Sequence, residues 1–109
     1  MGESFKVLGQ AAPSINTLTA LYTVPAATST TISSITICNT TNATIKFRVS
    51  IAVANAADTL KQYLFYDVAI TKNNSTSATL GITLAATDVV KVYADAANVA
   101  FNLFGVEIT

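Results

Sequence analysis

The sequence predicts an all-β protein: an antiparallel β-sandwich of about seven to eight strands with an N-terminal arm. Residues 44–52 (TIKFRVSIA) alternate apolar and polar side chains without a break, as in a strand with one buried and one exposed face. Similar segments recur between polar turns about ten residues apart, a spacing typical of β-sandwiches. Long amphipathic helical patterns are missing between these segments, which disfavours folds that alternate strands and helices.

Residues 1–17 form the predicted arm, and residues 18–109 form the predicted sandwich domain. In the first segment Phe5, Val7 and Leu8 lie among small residues and Pro13. This composition fits either a short strand or an arm that reaches a neighbouring molecule.

The remaining elements follow from local patterns. We expect strands at residues 18–24, 31–39, 44–52, 61–70, 76–84, 88–94 and 99–109. Pro25 closes the first of these, because proline lacks the N–H that a ladder needs. Residues 53–60 are expected to be a connecting loop that can include one helical turn. Gly105 is expected to mark a bulge or a point of close packing.

Composition indicates one domain with an unusually uncharged surface. The chain has 109 residues, of which 51% are hydrophobic and 11% are charged, against about 25% charged in an average domain. A small monomer with so few charged residues must leave apolar surface exposed to solvent. Large exposed apolar patches usually mark contacts with partners, which indicates an assembly subunit. The alternative is a monomer coated by uncharged Thr and Asn.

Charge and hydropathy also bear on partners and location. Six basic and six acidic residues cancel, so there is no basic stripe for nucleic acid and no polybasic cluster for a membrane surface. No apolar run approaches the ~20 residues of a membrane helix. The first residues lack a signal-peptide pattern, so we expect the protein to stay in the producing cell or to leave inside a particle.

The residues needed for catalysis are sparse, and we predict that the protein is not an enzyme and holds no cofactor or metal. Histidine, the commonest general base and zinc ligand, does not occur. The acidic residues form no calcium-loop motif, and Asp67, the best-placed candidate acid, is interpreted as a turn or cap carboxylate. Cys38, the one cysteine, is interpreted as a small buried apolar residue.

Aromatic and apolar side chains are the remaining candidates for binding. Tyr63, Phe65 and Tyr66 follow one another closely in one predicted strand, and the other aromatic candidates are Tyr93, Phe101 and Phe104. Such clusters form either interface anchors or sugar platforms, although core packing accounts for many of them. The expected interface residues are Phe5, Val7 and Leu8 of the predicted arm together with Tyr63, Phe65 and Tyr66.

Five short sequence segments, taken in their order along the chain, resemble small virion structural proteins of tailed bacteriophages. They are residues 21–26 (LYTVPA), 35–39 (ITICN), 46–49 (KFRV), 80–84 (LGITL) and 104–108 (FGVEI). The resemblance extends over residues 18–109. It implies a β-sandwich subunit of a virion, made in the host cytoplasm.

Two kinds of virion component fit the resemblance. One is a capsid cement (decoration) protein that binds the major capsid protein, commonly as a trimer and with a terminal arm on the shell. The other is a tail or fibre-attachment component. A carbohydrate-binding β-sandwich is the alternative from another functional class.

Overall fold

A computed structural model describes residues 2–109 and shows two antiparallel four-stranded sheets packed face to face. Strand accounts for 62% of the chain and helix for 6%. The strands are β1 Glu3–Ala11, β2 Thr19–Thr23, β3 Ser29–Asn39, β4 Ile45–Ala52, β5 Tyr63–Ile70, β6 Ser75–Leu84, β7 Val89–Ala94 and β8 Val99–Ile108. Single 3₁₀ turns at Val53–Asn55 and Leu60–Gln62 lie between β4 and β5. The predicted fold class is therefore confirmed.

The strand order identifies the sandwich as a jelly roll. One sheet has the order β1-β8-β3-β6 and the other the order β2-β7-β4-β5. Strand β4 pairs with β5, β3 with β6, β2 with β7, and β1 with β8, always antiparallel. This is the pattern of one long hairpin rolled up into two sheets, an architecture found in viral capsid and lectin domains among others.

The core lies between the sheets and is built by alternation. In β4 the side chains of Ile45, Phe47 and Val49 are fully buried, because every second residue points inward. The Phe47 ring contacts Phe65 at 5.8 Å and Phe101 at 6.3 Å between centroids. These aromatic contacts join the two sheets, since Phe47 and Phe65 belong to one sheet and Phe101 to the other.

The N-terminal segment is part of the sandwich and not a free arm. Glu3–Ala11 pairs with β8 along its whole length, as the edge strand of its sheet. The accessible surface is 5671 Å², close to the roughly 5,800 Å² typical of a compact chain of this mass. The arm of residues 1–17 is thus corrected to a strand from Glu3 onward, because β8 offers a full ladder of backbone partners. Met1 lies outside the described residues.

Cys38 is exposed, so the interpretation as a buried apolar residue is wrong. Ile35 and Ile37 point into the core, each at most 1% exposed. Successive strand residues point to opposite faces. The residue after Ile37 must therefore point outward.

Asn39 organises the turn that follows β3. Its side chain is fully buried and donates to the carbonyls of Ala43 (2.8 Å), Ile70 (3.1 Å) and Thr71 (3.1 Å). Its Oδ1 accepts from the backbone N–H and the hydroxyl of Thr41. This one side chain ties the β3–β4 turn to the end of β5.

Candidate functional site

Four apolar side chains cover part of the outer surface of the β1-β8-β3-β6 sheet. Phe5 lies directly opposite Val106, and Val7 directly opposite Phe104, so all four share one face. Leu103 of β8 points into the core, which directs Phe104 and Val106 outward. Phe5 is 78% exposed and Val7 is 48% exposed. We call Phe5, Val7, Phe104 and Val106 the apolar face.

A groove of about 350 Å³ runs across the apolar face. It is lined by Phe5, Lys6, Thr31, Ser33, Phe104, Gly105 and Val106. Both neighbours of β8 carry an extra residue at this level: β1 at Leu8 and β3 at Ser33. Bulges bend and twist a strand locally. The groove therefore lies over β8, at the position where the bulges in β1 and β3 flank it.

Within residues 2–109, the outer edge of β1 has backbone groups without a hydrogen-bond partner. Gly2 and Thr109 exchange two backbone hydrogen bonds, at 3.0 and 2.9 Å. In an antiparallel pair, bonded and non-bonded residue pairs alternate. The N–H and C=O groups of Ser4 and Lys6 therefore face β8, whereas those of Glu3, Phe5 and Val7 face away from it.

A polar network fixes the N-terminal half of β1 to the sandwich. Lys6 Nζ lies 2.6 Å from Glu107 Oε1, and the Tyr22 hydroxyl donates to Glu107 Oε2 at 2.6 Å. The Tyr22 hydroxyl also lies 2.8 Å from Thr30 Oγ1. The hydrogen bond from Lys6 is the main cause that holds the pKa of Glu107 below its usual range, and the hydrogen bond from Tyr22 is the second cause. Burial, followed by the bond to Glu107, raises the pKa of Tyr22 to about 12.

A second cluster lies on the outer face of the other sheet. The Arg48 guanidinium stacks on the rings of Tyr66 and Tyr93, with its central carbon 4.2 and 4.3 Å from the centroids. Its Nε donates to Asp67 Oδ1 at 2.7 Å. Tyr63 meets Tyr66 edge to face at 5.0 Å. We call Arg48, Tyr63, Tyr66, Asp67 and Tyr93 the tyrosine cluster.

A β-bulge in β5 assembles this cluster. Two residues of β5, Tyr66 and Asp67, stand opposite the single residue Arg48 of β4. Asp67 has a left-handed backbone with φ of 53°, as bulges often require. Asp67 is thus a bulge residue paired with Arg48, and the interpretation as a turn or cap carboxylate is corrected.

Electrostatics in the cluster follow from these contacts. The hydrogen bond from Arg48 lowers the pKa of Asp67, and the bond to Asp67 raises the pKa of Arg48. Burial, and then the hydrogen bond to Asp58 at 3.0 Å, raises the pKa of Tyr63. All three shifts favour the protonation states present at neutral pH, so none of these three groups is poised as an acid or a base.

The predicted interface residues fall into three groups. Phe5 and Val7 belong to the apolar face, while Tyr63 and Tyr66 belong to the tyrosine cluster on the opposite sheet. Leu8 and Phe65 pack against the hydrophobic core. The structure therefore brings Phe5 together with Val7, and Tyr63 with Tyr66, but keeps the two pairs apart.

Sequence reasoning named Phe104 only as one of several aromatic binding candidates, and it missed Val106 and the grouping of both residues with Phe5 and Val7. The available signal was the apolar residues at two successive even positions of β8, opposite in phase to Phe101 and Leu103. Two further exposed apolar residues, Val53 and Leu60, lie in the β4–β5 connection, and Val53 lines a groove of about 520 Å³.

No protein-family model matches this sequence, and the search of curated proteins found no significant match. Among residues 2–109, no helix is both long enough and apolar enough to cross a membrane. Over the same residues, no group of three or more His, Cys, Asp or Glu side chains is placed to hold a metal ion.

Proposed function

We propose that the protein is a non-enzymatic structural component of a phage virion, and specifically a capsid cement protein that stabilises the shell by adhesion. The observation that carries this proposal is the apolar face. Its most exposed residue, Phe5, is 78% accessible, whereas a side chain of this size is usually buried. Exposed contiguous apolar surface is typical of sites that bind other proteins.

The architecture and the sequence resemblance support the same proposal. Jelly rolls occur among viral capsid domains, although fold alone does not specify function. The resemblance to tailed-phage virion proteins implies the major capsid protein as partner and a homo-oligomer, commonly a trimer, as the active form. The absence of histidine from the chain fits a role in adhesion better than one in acid–base catalysis.

Adhesion follows from burial of the apolar face. Phe5, Val7, Phe104 and Val106 lie on two neighbouring strands, so a partner surface can cover them together. Burial of apolar area is worth about 25 cal/mol per Å², and the cost of association offsets part of this. Repetition over many copies on a shell then makes individually modest contacts effective.

The test is rebinding of the purified protein to particles of the phage that encodes it. The Phe5→Ser variant should lose most of its binding, whereas Leu60→Ser should bind like the wild type. Leu60 is a matched control because it is also 78% exposed but lies in the β4–β5 connection of the other sheet. A wild-type protein that neither co-purifies with nor rebinds to particles would contradict the proposal. A loss of binding in both variants would remove the apolar face as its basis.

Placement on the tail or its fibres is the alternative within the virion class. Electron microscopy of particles decorated with a labelled protein separates the two locations. Label distributed over the capsid supports the cement assignment, and label confined to the tail replaces it.

The tyrosine cluster motivates a second candidate function, carbohydrate binding. Tyr66 is 49% exposed beside the carboxylate of Asp67, a combination of ring and polar group that suits sugars. Arg48 covers one face of the Tyr66 ring, which reduces the surface left for stacking and places this candidate second. Glycan-array binding that is lost in Tyr63→Ala or Tyr66→Ala would favour it.

A further inference from the structure

The free edge of β1 presents backbone groups in the arrangement with which an extended strand can pair. The outward backbone groups of Glu3, Phe5 and Val7 recur at every second residue, which is the spacing of a β-ladder. An edge with regular, unpaired groups is a template for pairing with another chain. The edge region also carries the most exposed part of the apolar face, Phe5 and Val7.

Among the four sheet edges of residues 2–109, β1 is the one best suited to pairing. Strand β2 has five residues and a bulge, and β5 is interrupted by two register shifts. Strand β6 has a bulge that includes Gly81 at φ of 60°, and the outward side chains beyond it are Ser and Thr. In β1 the register is regular from Glu3 to Val7. Bulges, short strands and polar edges are features that protect the other edges from pairing.

We propose that β1 pairs antiparallel with β1 of a second copy of this chain, about a two-fold axis that passes beside Phe5. The two outer sheets would then join into one continuous eight-stranded sheet. This inference goes beyond the proposed function, because it needs neither a shell nor any other partner.

Geometry selects both the second copy and the register. With the axis at Phe5, the outward groups of Glu3, Phe5 and Val7 in one copy meet those of Val7, Phe5 and Glu3 in the other. All three outward residues are then used, giving about six hydrogen bonds. An axis at Ser4 or Lys6 would use only two outward residues of each copy.

Side chains favour the same register. Phe5 stands opposite its symmetry mate, an aromatic cross-strand pair, and the apolar faces of the two copies become continuous. Lys6 stands opposite Ser4, whereas an axis at Lys6 would place two lysines side by side. The strand is thus self-complementary, as an isologous two-fold contact requires.

The contact is small, so we expect a reversible dimer with a dissociation constant of about ten to several hundred micromolar. A trimer on a shell would have to use other surfaces, because one strand edge accepts one partner strand. The two-fold contact would then link copies that belong to different trimers.

Sedimentation velocity of the purified protein, from about ten micromolar to about one millimolar, tests the dimer. The Phe5→Pro variant removes an N–H that points away from β8, so it breaks no bond within the subunit. It should weaken the dimer about ten- to a hundredfold. Phe5→Ala is the matched control, since it removes the ring and keeps the N–H, and its loss should be smaller. Far-UV circular dichroism confirms that both variants are folded.

Amide hydrogen exchange on the wild type provides a readout that needs no substitution. The amides of Phe5 and Val7 should become protected as protein concentration rises, whereas those of Ser4 and Lys6 should be protected at every concentration. The proposal is overturned if the protein stays monomeric throughout, if the Phe5 and Val7 amides never gain protection, or if an oligomer forms that Phe5→Pro does not weaken. Rebinding to particles is measured separately, so either proposal can fail without the other.

Discussion

Gly105 determines how closely β8 approaches β3, and Gly105→Ala should destabilise the protein strongly. A Cβ at this position would overlap the carbonyl oxygen of Thr31 and lie 3.0 Å from Leu8 Cδ1 and 3.2 Å from Ile32 Cα. Two of these three contacts are with backbone atoms, which no side-chain rotation can relieve. Gly105 and Ile32 are also direct partners in the ladder, so relief requires the two strands to separate.

Overpacking of this kind costs about 1–3 kcal/mol, and the backbone clash places Gly105→Ala near the upper end, at about 2–3 kcal/mol. A chain of this length has a total stability of about 5–15 kcal/mol. The expected decrease in melting temperature is about 10–20 °C. The variant should still fold, with a markedly lower midpoint.

Urea unfolding followed by far-UV circular dichroism measures the effect, since the chain has no tryptophan for fluorescence. Gly2→Ala is the matched control, because its Cβ would meet only Thr109 Oγ1, at an ordinary 3.5 Å. If the two variants differ by less than about 0.5 kcal/mol, the close approach of β8 to β3 at this point is refuted.

Three further predictions concern single side chains. Asn39→Ala should cost about 2–4 kcal/mol, because it removes the side-chain donor to three carbonyls, of which that of Ile70 is buried, while Asn42→Ala, at an exposed position, should be nearly neutral in the same urea assay. The pKa of Glu107 is lowered below its usual 4.5 in the folded protein, so its stabilising contribution is complete above the unfolded-state pKa and is lost as pH falls through the folded-state pKa. The difference in unfolding free energy between wild type and Glu107→Gln should therefore shrink from pH 7 to pH 3, and a constant difference would contradict the Lys6–Glu107–Tyr22 network. Cys38 should react with a thiol reagent in the native protein nearly as fast as in urea, and Cys38→Ser should change stability by less than about 0.5 kcal/mol.

The strands could be predicted from the sequence because alternation is a local property. The pattern at residues 44–52 depends only on which side chains prefer water, and the structure places β4 at Ile45–Ala52. Residues 53–60, expected to form a loop with one helical turn, contain one 3₁₀ turn and the start of another. The pairing order could not be predicted, since it depends on contacts between residues far apart in the chain, such as Gly2 with Thr109.

The tyrosine cluster could not be predicted from local sequence patterns. Tyr63 and Tyr66 are three residues apart, and strict alternation would place them on opposite faces of β5. The register shifts in β5 bring both rings to one face, beside Arg48. Nothing in the aromatic run signals a bulge, because the left-handed residue there is Asp67 instead of the glycine that commonly marks one.

The β8 part of the apolar face could not be placed from the sequence for a related reason. Along β8, Phe101 and Leu103 are buried, and then the apolar positions shift phase to Phe104 and Val106. In a sequence such a shift most simply indicates a bulge at Gly105, which would return the later residues to the core. In the structure the extra residues lie in the neighbouring strands, at Leu8 and Ser33, and β8 continues straight. Phe104 and Val106 therefore point outward on the same face as Phe5.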